Sequence, residues 1–299
     1  MRQLFYRFIY NASVNRVLRN VNRWLSFALP KKLRIPPSGI IKVRLNSGTF
    51  QFATNQTNTT TQLLFWNGPY TFEYTAIFEQ LIKNCRCFYD VGAHAGYYSL
   101  IAATVNPSIR SVAFEPASGP FHYLNRNVSL NSFRDRIVVE NLALGDQTGT
   151  TEFLEATHHK YQYMEHNLVA VSNLSIEQPN RKMKSVKVQI ATIDDYVKQH
   201  PDLVPDIIKM DTEGTENLIL AGAKNTLESN PIVICETLFN KIEQQLEGIM
   251  ASHGYEFYNF KNGKLYQVTT LARSIDNGVH DCFFVHPEKA HLIKPFIAS

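Results

Sequence analysis

The first 72 residues contain no aspartate or glutamate; the first acidic residue is Glu73. That segment holds ten Lys or Arg residues, so it carries +10 while the rest of the chain carries −6. Such an asymmetry points to an acidic partner, to a membrane surface, or to docking of the head on the body. Cysteine is scarce: Cys85, Cys87, Cys235 and Cys282 are the only four, and no two pairs sit at zinc spacing. A disulfide framework and a structural zinc site are thereby excluded, and the thiols read as reduced and mostly buried. No apolar run approaches the ~18 to 20 residues that a spanning helix needs. A secretory cleavage pattern is lacking at the start of the chain, so the expected location is cytoplasmic, with peripheral contact at a membrane left open. Charged residues, at 19%, fall below the usual ~25%.

What is present suffices for a globular fold. The 299 residues are 44% hydrophobic, enough for a substantial core. Residues 1–36 read as a basic amphipathic helical extension: Val14, Val17, Leu18, Val21, Trp24 and Leu25 recur at three and four, with Arg16, Arg19 and Arg23 on another face. A helix of that kind either docks on its own domain or lies on anionic lipid. Pro36 and Pro37 end it. Residues 37–84 form a second unit, with two strands over 40–53 around Asn46-Ser47-Gly48, a polar loop at 54–61 and a helix over 72–82.

From residue 85 to 290 strand and helix patterns alternate. Strands are expected at 88–91, 111–115, 137–144, 186–190, 207–211 and 232–236, with helices at 97–105, 121–130, 216–227 and 240–253. Three strands follow at 255–258, 264–269 and 282–285. This alternation predicts an α/β fold with a mostly parallel sheet and helices on both faces, and ligands bind such sheets at the carboxyl ends of the strands. Residues 156–184 interrupt the pattern with His158, His159, Tyr161, Tyr163 and His166, a candidate lid over an acceptor.

Two constellations carry chemistry. Asp90-Val91-Gly92-Ala93-His94-Ala95-Gly96-Tyr97 leaves a strand and opens a helix. Gly92 suits a tight turn and Gly96 a close helix start, while His94 is a residue that tolerates left-handed backbone. Glu115 ends the next strand, where an acid can accept both hydroxyls of a ribose. Together they signal an adenosine-containing cofactor. The spacing departs from the G-x-G-x-x-G of pyrophosphate binders, and a carboxylate at Asp90 would meet a cationic amino-acid tail better than a pyrophosphate. Both details favour S-adenosylmethionine over NAD. The second constellation is Asp211 and Glu213, leaving one strand, with Glu236 ending the next. Three carboxylates at one sheet edge suit general-base work on a hydroxyl, or capping of the following helix. Lys209 is read as structural.

DVGAHAGYY at 90–98, AFEP at 113–116, LNRNVSLN at 124–131, ALGD at 143–146 with Gly149, TIDD at 192–195 and IKMDTEGTE at 208–216 occur in the order of the FkbM family of S-adenosylmethionine-dependent methyltransferases, which the chain resembles over about 73–258. The resemblance implies a class I, Rossmann-like methyltransferase fold, preceded here by the helical and hairpin extension, and O-methylation of a sugar, glycan or other hydroxylated metabolite. It implies that Asp90, Gly92, Ala93, His94, Gly96 and Tyr97 border the methionine end of the cofactor, that Glu115 holds the ribose, and that Asn141 and Ala143 lie near the adenine. Asp211 falls in the motif nearest the methyl group, with Glu213 and Glu236 as further catalytic candidates. His94 departs from the commoner Asn. An inert cofactor- or glycan-binding relative and a nicotinamide oxidoreductase are the competing readings. No metal and no nucleic-acid partner are expected.

Overall fold

The computed structural model describes residues 2–27, 30–157, 159–161, 163–169 and 182–298. Its elements run α1 (Arg2–Ile9), α2 (Ala12–Trp24), β1 (Gly39–Arg44), β2 (Thr49–Thr54), α3 (Thr59–Asn67), α4 (Thr75–Leu81), β3 (Cys87–Val91), α5 (Tyr97–Val105), β4 (Arg110–Phe114), α6 (Ser118–Leu130) and β5 (Ile137–Glu140). They continue with β6 (Ala143–Leu144), β7 (Gly149–Thr157), β8 (Lys182–Ala191), α7 (Ile193–Gln199), β9 (Ile207–Met210), α8 (Glu216–Ala221), α9 (Lys224–Leu227), β10 (Ile232–Glu236), α10 (Glu243–Ser252), β11 (Glu256–Lys261), β12 (Lys264–Val268), β13 (Asp281–Val285) and α11 (Ala290–Ile293).

Eight strands form one sheet in the order β12-β11-β13-β10-β9-β3-β4-β5. The five from β10 to β5 are parallel, and β13 enters antiparallel beside β10. The chain leaves β3 toward β4 on one side and later returns to β9 on the other, so the strand order reverses at β3. That reversal opens a crevice at the carboxyl ends of β3, β4 and β9. All five residues of β3 and all four of β9 are buried, as strands covered on both faces must be. The core follows as two apolar layers, one on each face: Phe78, Phe88, Leu100 and Ile234 lie in one, Tyr89, Phe114, Ile208 and Leu246 in the other.

The β1–β2 hairpin belongs to the first layer through Ile41, Phe50 and Phe52. Its open edge is closed by side chains rather than by a strand. Asn127 of α6 and Asn131, which caps its C-terminus, accept from the N–H groups of Ala53 (2.6 Å) and Gln51 (2.8 Å) and donate to the carbonyls of the same two residues. Two amides thus replace the missing strand neighbour. Asn127 also donates to the carbonyl of Ala95 at 2.9 Å, which ties the hairpin to the glycine turn after β3.

Several elements differ from the sequence reading. The polar stretch at 54–61 is no simple loop: Asn58 accepts from Thr61 N–H and starts α3 at Thr59. The strand expected over 137–144 divides. β5 pairs with β4, Asn141 turns the chain, and β6 pairs with β8 in a separate three-stranded sheet. The helix expected over 216–227 breaks at Gly222, where a Cβ would run into the carbonyl oxygen of Gly145. β7, unforeseen, pairs antiparallel with β8 along nine residues.

The head is two helices, not one, because Asn11 accepts from Ser13 and Val14 N–H and caps a new start. Its docked side is anchored by polar side chains, with Val14, Leu18 and Leu25 half-buried beside them. Arg19, only 3% exposed, donates to the carbonyls of Ser38 and Ile40, and buried Asn15 donates to the carbonyl of Pro36. Arg19 therefore leaves the exposed basic face expected for it, while Val17, Val21 and Trp24 point outward. The cause is the unpaired backbone of residues 36–40, whose carbonyls need donors that a leucine cannot supply.

Candidate functional site

The glycine turn is built against its neighbours. Gly92 N–H and Ala93 N–H both donate to the carbonyl of Phe114, at 3.1 and 3.0 Å, so the turn is stitched to the end of β4. Gly92 has φ +68, and a Cβ there would collide with the carbonyl oxygen of Asp211. The glycine makes room for the chain leaving β9. His94 adopts φ +52 and Gly96 φ +87, and a Cβ on Gly96 would lie 2.6 Å from Leu124 in the middle of α6. These are the left-handed positions that the motif predicts.

A cavity of about 310 Å³ opens above this turn, a volume typical of small-molecule sites. Of the residues expected at the cofactor, Gly92, Ala93, His94, Tyr97, Glu115 and Ala143 line it, and of the expected catalytic residues Asp211 and Glu213 do. Glu115 is buried at the end of β4 and accepts from His94 N–H (2.7 Å, Oε2) and Ala117 N–H (2.8 Å, Oε1). Each oxygen keeps a further acceptor position. Burial pushes its pKa up to about 7, against the lowering pull of the two N–H groups. Burial pushes His94 down to about 4, so its ring is neutral at physiological pH and lies 3.3 Å from the carbonyl of Leu168. Its place is that of a turn residue, uncharged at neutral pH.

Four expected residues stay outside the cavity lining. Asp90 is buried beneath the turn: Oδ2 accepts from Ser99 N–H (3.0 Å) and hydroxyl (2.6 Å), and Oδ1 faces the Lys209 ammonium at 3.6 Å. It braces the turn from below. Gly96 packs on Leu124, as above. Asn141 donates to the carbonyls of Glu115 (2.9 Å) and Pro116 (3.1 Å), holding the loop that carries Glu115. Glu236 stands behind the acidic wall with Oε2 lacking a hydrogen-bond partner, and its pKa rises to about 9 through burial and then the charges of Asp211 and Glu213.

Two residues gain importance from the structure. Lys209 Nζ sits between Asp90 and Asp211 (3.7 Å to Oδ2) and donates to the carbonyl of Gly92 at 3.2 Å. Burial alone would lower its pKa; Asp211, Asp90, Glu73 and Glu236 outweigh that and raise it. The signal was available, since residues 209 and 211 share a face at period two. Glu73, open to the cavity, accepts from the Tyr98 hydroxyl at 2.7 Å. Burial among protein atoms, and then the Asp211 charge, raise its pKa to about 7. Asp281, across from Glu236 on β13, is raised too, by burial and then Glu73. Glu216 anchors the loop between them: it accepts from Thr212 N–H (2.7 Å) and Gly214 N–H (3.0 Å), which places Asp211 and Glu213 at the wall.

The expected lid meets the cavity in part. Leu168 N–H donates to Thr57 at 2.7 Å, and Leu168 and Val169 line the cavity above His94. Tyr161 packs against Tyr6 of α1 and Tyr10 just after it, and Tyr163 accepts from Gln56. His158 and residues 170–181 lie outside the described residues. Among the described residues no group of three His, Cys, Asp or Glu is arranged to hold a metal ion.

Comparison with known proteins gives the family. The methyltransferase FkbM domain matches residues 90–257, more than half of the chain. Methyltransferase sdnD of Sordaria araneosa is 26% identical over 196 residues, 56% of this chain and 72% of its own length. Among solved structures, methyltransferase FkbM of Methylobacillus flagellatus KT aligns with a TM-score of 0.43 at 17% identity, over 67% of this chain and 43% of its own, so the chain spans less than half of it. M. jannaschii TYW2, solved with AdoMet, aligns with a TM-score of 0.40 at 13% identity, over 84% and 88%. The matched segment begins at Asp90, contains the reversal of strand order and the acidic wall, and ends within β11. The sheet is that of a class I, Rossmann-like methyltransferase, and the chain belongs to the FkbM methyltransferase family.

Proposed function

We propose that the chain transfers a methyl group from S-adenosylmethionine to a hydroxyl of a sugar, glycan or other hydroxylated metabolite. The observation that carries this reading is the charge of the cavity. Glu73, Glu115, Asp146, Glu152, Asp211 and Glu213 line it, and Lys209 is the one cation among the lining residues. That surplus attracts a ligand bearing ammonium and sulfonium charges and repels a pyrophosphate or a nucleic-acid backbone. The residues fit the cofactor's parts. Glu115 would take the two ribose hydroxyls on its remaining acceptor positions. The backbone from Gly92 to Ala95 would border the methionine end, with Asp90 and Lys209 holding that turn from beneath. Leu142, Ala143 and Leu144 give an apolar wall for the adenine.

When bound, S-adenosylmethionine supplies a methyl group activated on a sulfonium. Asp211 and Glu213 would accept hydrogen bonds from the acceptor and orient its hydroxyl. Asp211 would then take the hydroxyl proton as the methyl group transfers, with Glu73, open to the cavity and held by the Tyr98 hydroxyl, as a second carboxylate beside it. Glu236 would support Asp211 from behind. Apolar Phe72, Leu168 and Val169 would keep water from the reacting oxygen. We place the reaction in the cytoplasm, a reading supported by four free thiols.

Calorimetric titration with S-adenosylmethionine, S-adenosylhomocysteine and NAD tests the cofactor. Binding of the two sulfur ligands without NAD is the expected result; NAD alone, or none of the three, overturns it. With an acceptor in hand, Asp211→Asn should keep cofactor affinity and lower turnover by roughly a hundredfold or more. Unchanged turnover removes Asp211 from the chemistry.

A further inference from the structure

We propose that α1 and α2 form a docking surface for an anionic membrane, lying on the lipid with their apolar faces outward.

The two helices are mounted with their polar sides in. On α2 the docked row is Asn15, Arg19 and Asn22, which bond to the backbone of residues 33–40. The row Val17, Val21 and Trp24 is displaced from it by two residues at every step, about 200° around the helix, and therefore faces away. All three are exposed, Trp24 at 76%, and Phe27 just beyond at 86%. α1 repeats the arrangement. Gln3 donates to the carbonyl of Lys160, and Tyr6 and Tyr10 rest edge-on against Tyr161, while Leu4, Phe5 and Phe8 stand in solvent. An ordinary docked helix buries its apolar row and exposes its polar one. Here the polar row already secures the helices, so the apolar row has no work inside this chain. Soluble monomers seldom show large exposed rows of this kind unless something covers them.

Charge selects the occupant. Arg2, Arg7, Arg16, Arg23 and Lys31 are exposed in the same segment. No carboxylate occurs before Glu73, and no ion pair joins any of these five among the described residues. Arg16 and Arg23, seven residues apart, form a row on the flank between the inward and outward faces. Long stems there can lie along an apolar boundary while the guanidinium groups reach phosphate. Aromatic and aliphatic side chains below and arginines at the sides match the acyl and headgroup layers of an anionic leaflet. A second copy of the chain fits poorly, because a two-fold interface would bring two +10 heads together. Among the described residues no helix is long and apolar enough to cross a membrane, so the contact is peripheral.

The test is co-sedimentation of the full chain with phosphatidylcholine vesicles, with and without phosphatidylglycerol. Binding should require the anionic lipid and disappear in molar salt, where screening shortens to about 3 Å. Phe8→Glu with Trp24→Glu alters only exposed side chains and should leave the thermal melt unchanged while weakening vesicle binding at least tenfold. Arg16→Gln and Arg23→Gln should each weaken it about fivefold. In a Trp66→Phe background, the emission of Trp24 should shift to the blue when vesicles are added. The proposal is overturned if anionic vesicles leave the protein in the supernatant, if neutral vesicles bind it equally, or if the Glu variants abolish a lipid-free dimer instead. No readout depends on methyl transfer, so this surface and the active-site reading stand or fall separately.

Discussion

Replacing Lys209 by methionine should cost this protein about 4 kcal/mol at pH 7, and the cost should shrink in acid. The stem is nearly conserved in volume, so the change is chiefly electrostatic. Asp90 is 1% exposed, and the Lys209 ammonium at 3.6 Å is the one cation paired with it among the described residues. At an effective dielectric of 20, that separation corresponds to roughly 5 kcal/mol of attraction, offset in part by the desolvation of both charges. Without the ammonium, the carboxylate must stay charged in a buried site or take a proton. Protonating an aspartate of ordinary pKa near 3.9 at pH 7 costs about 4 kcal/mol, which caps the loss and falls within the ~3 to 5 expected for breaking a buried pair. At pH 5 the same step costs about 1.5 kcal/mol. The variant therefore loses stability as pH rises through this window. A protein with stability in the usual ~5 to 15 kcal/mol range survives the change folded. Urea unfolding followed by circular dichroism at both pH values reads it. Asp90→Asn combined with Lys209→Met should recover most of the loss, because the asparagine oxygen still accepts from Ser99 and no buried charge remains. A loss below 1 kcal/mol, a pH-independent loss, or additive single effects would refute the assignment of Lys209 as the counter-charge.

Three further outcomes follow from the same geometry. Glu115 titrates near 7 when folded against an ordinary value of 4.5, so its contribution is fully present below 4.5 and is lost as pH rises through 7, about 3 kcal/mol in all; Glu115→Gln should flatten the stability profile between pH 5 and 8, and an unchanged slope counts against the shift. Gly92→Ala should destabilise by about 2 to 4 kcal/mol in a thermal or urea melt, from left-handed backbone and collision with Asp211; a loss under 1 kcal/mol means the turn can relax. Asp90→Ala should lower stability as well as ligand affinity, since Asp90 supports the turn from below; weaker binding with full stability would return Asp90 to the ligand's surface.

The parallel sheet was legible because burial on both faces leaves an unmistakable mark: CFYDV, RSVAF and IVICE are short, apolar and followed by turns and helices. The glycine turn was legible for a related reason, as left-handed backbone at 94 and 96 narrows the residues that can stand there. What escaped depended on which partner a polar group finds. Nothing in the segment GTTEFLEAT says that it pairs with residues 182–191 across a long intervening stretch. Asp90 looks equally suited to bind a ligand or a lysine, and only the register of β3 beside β9, Asp90 opposite Lys209, decides between them. The head makes the same point in reverse. Its 3.6-residue periodicity correctly announces two faces, but periodicity ranks faces by hydropathy, whereas the body selects them by its own unmet needs. Here the body presents carbonyls at Pro36, Ser38 and Ile40, and an arginine and an asparagine answer them. The apolar row, which by hydropathy alone should have been buried, is thereby left free for another surface.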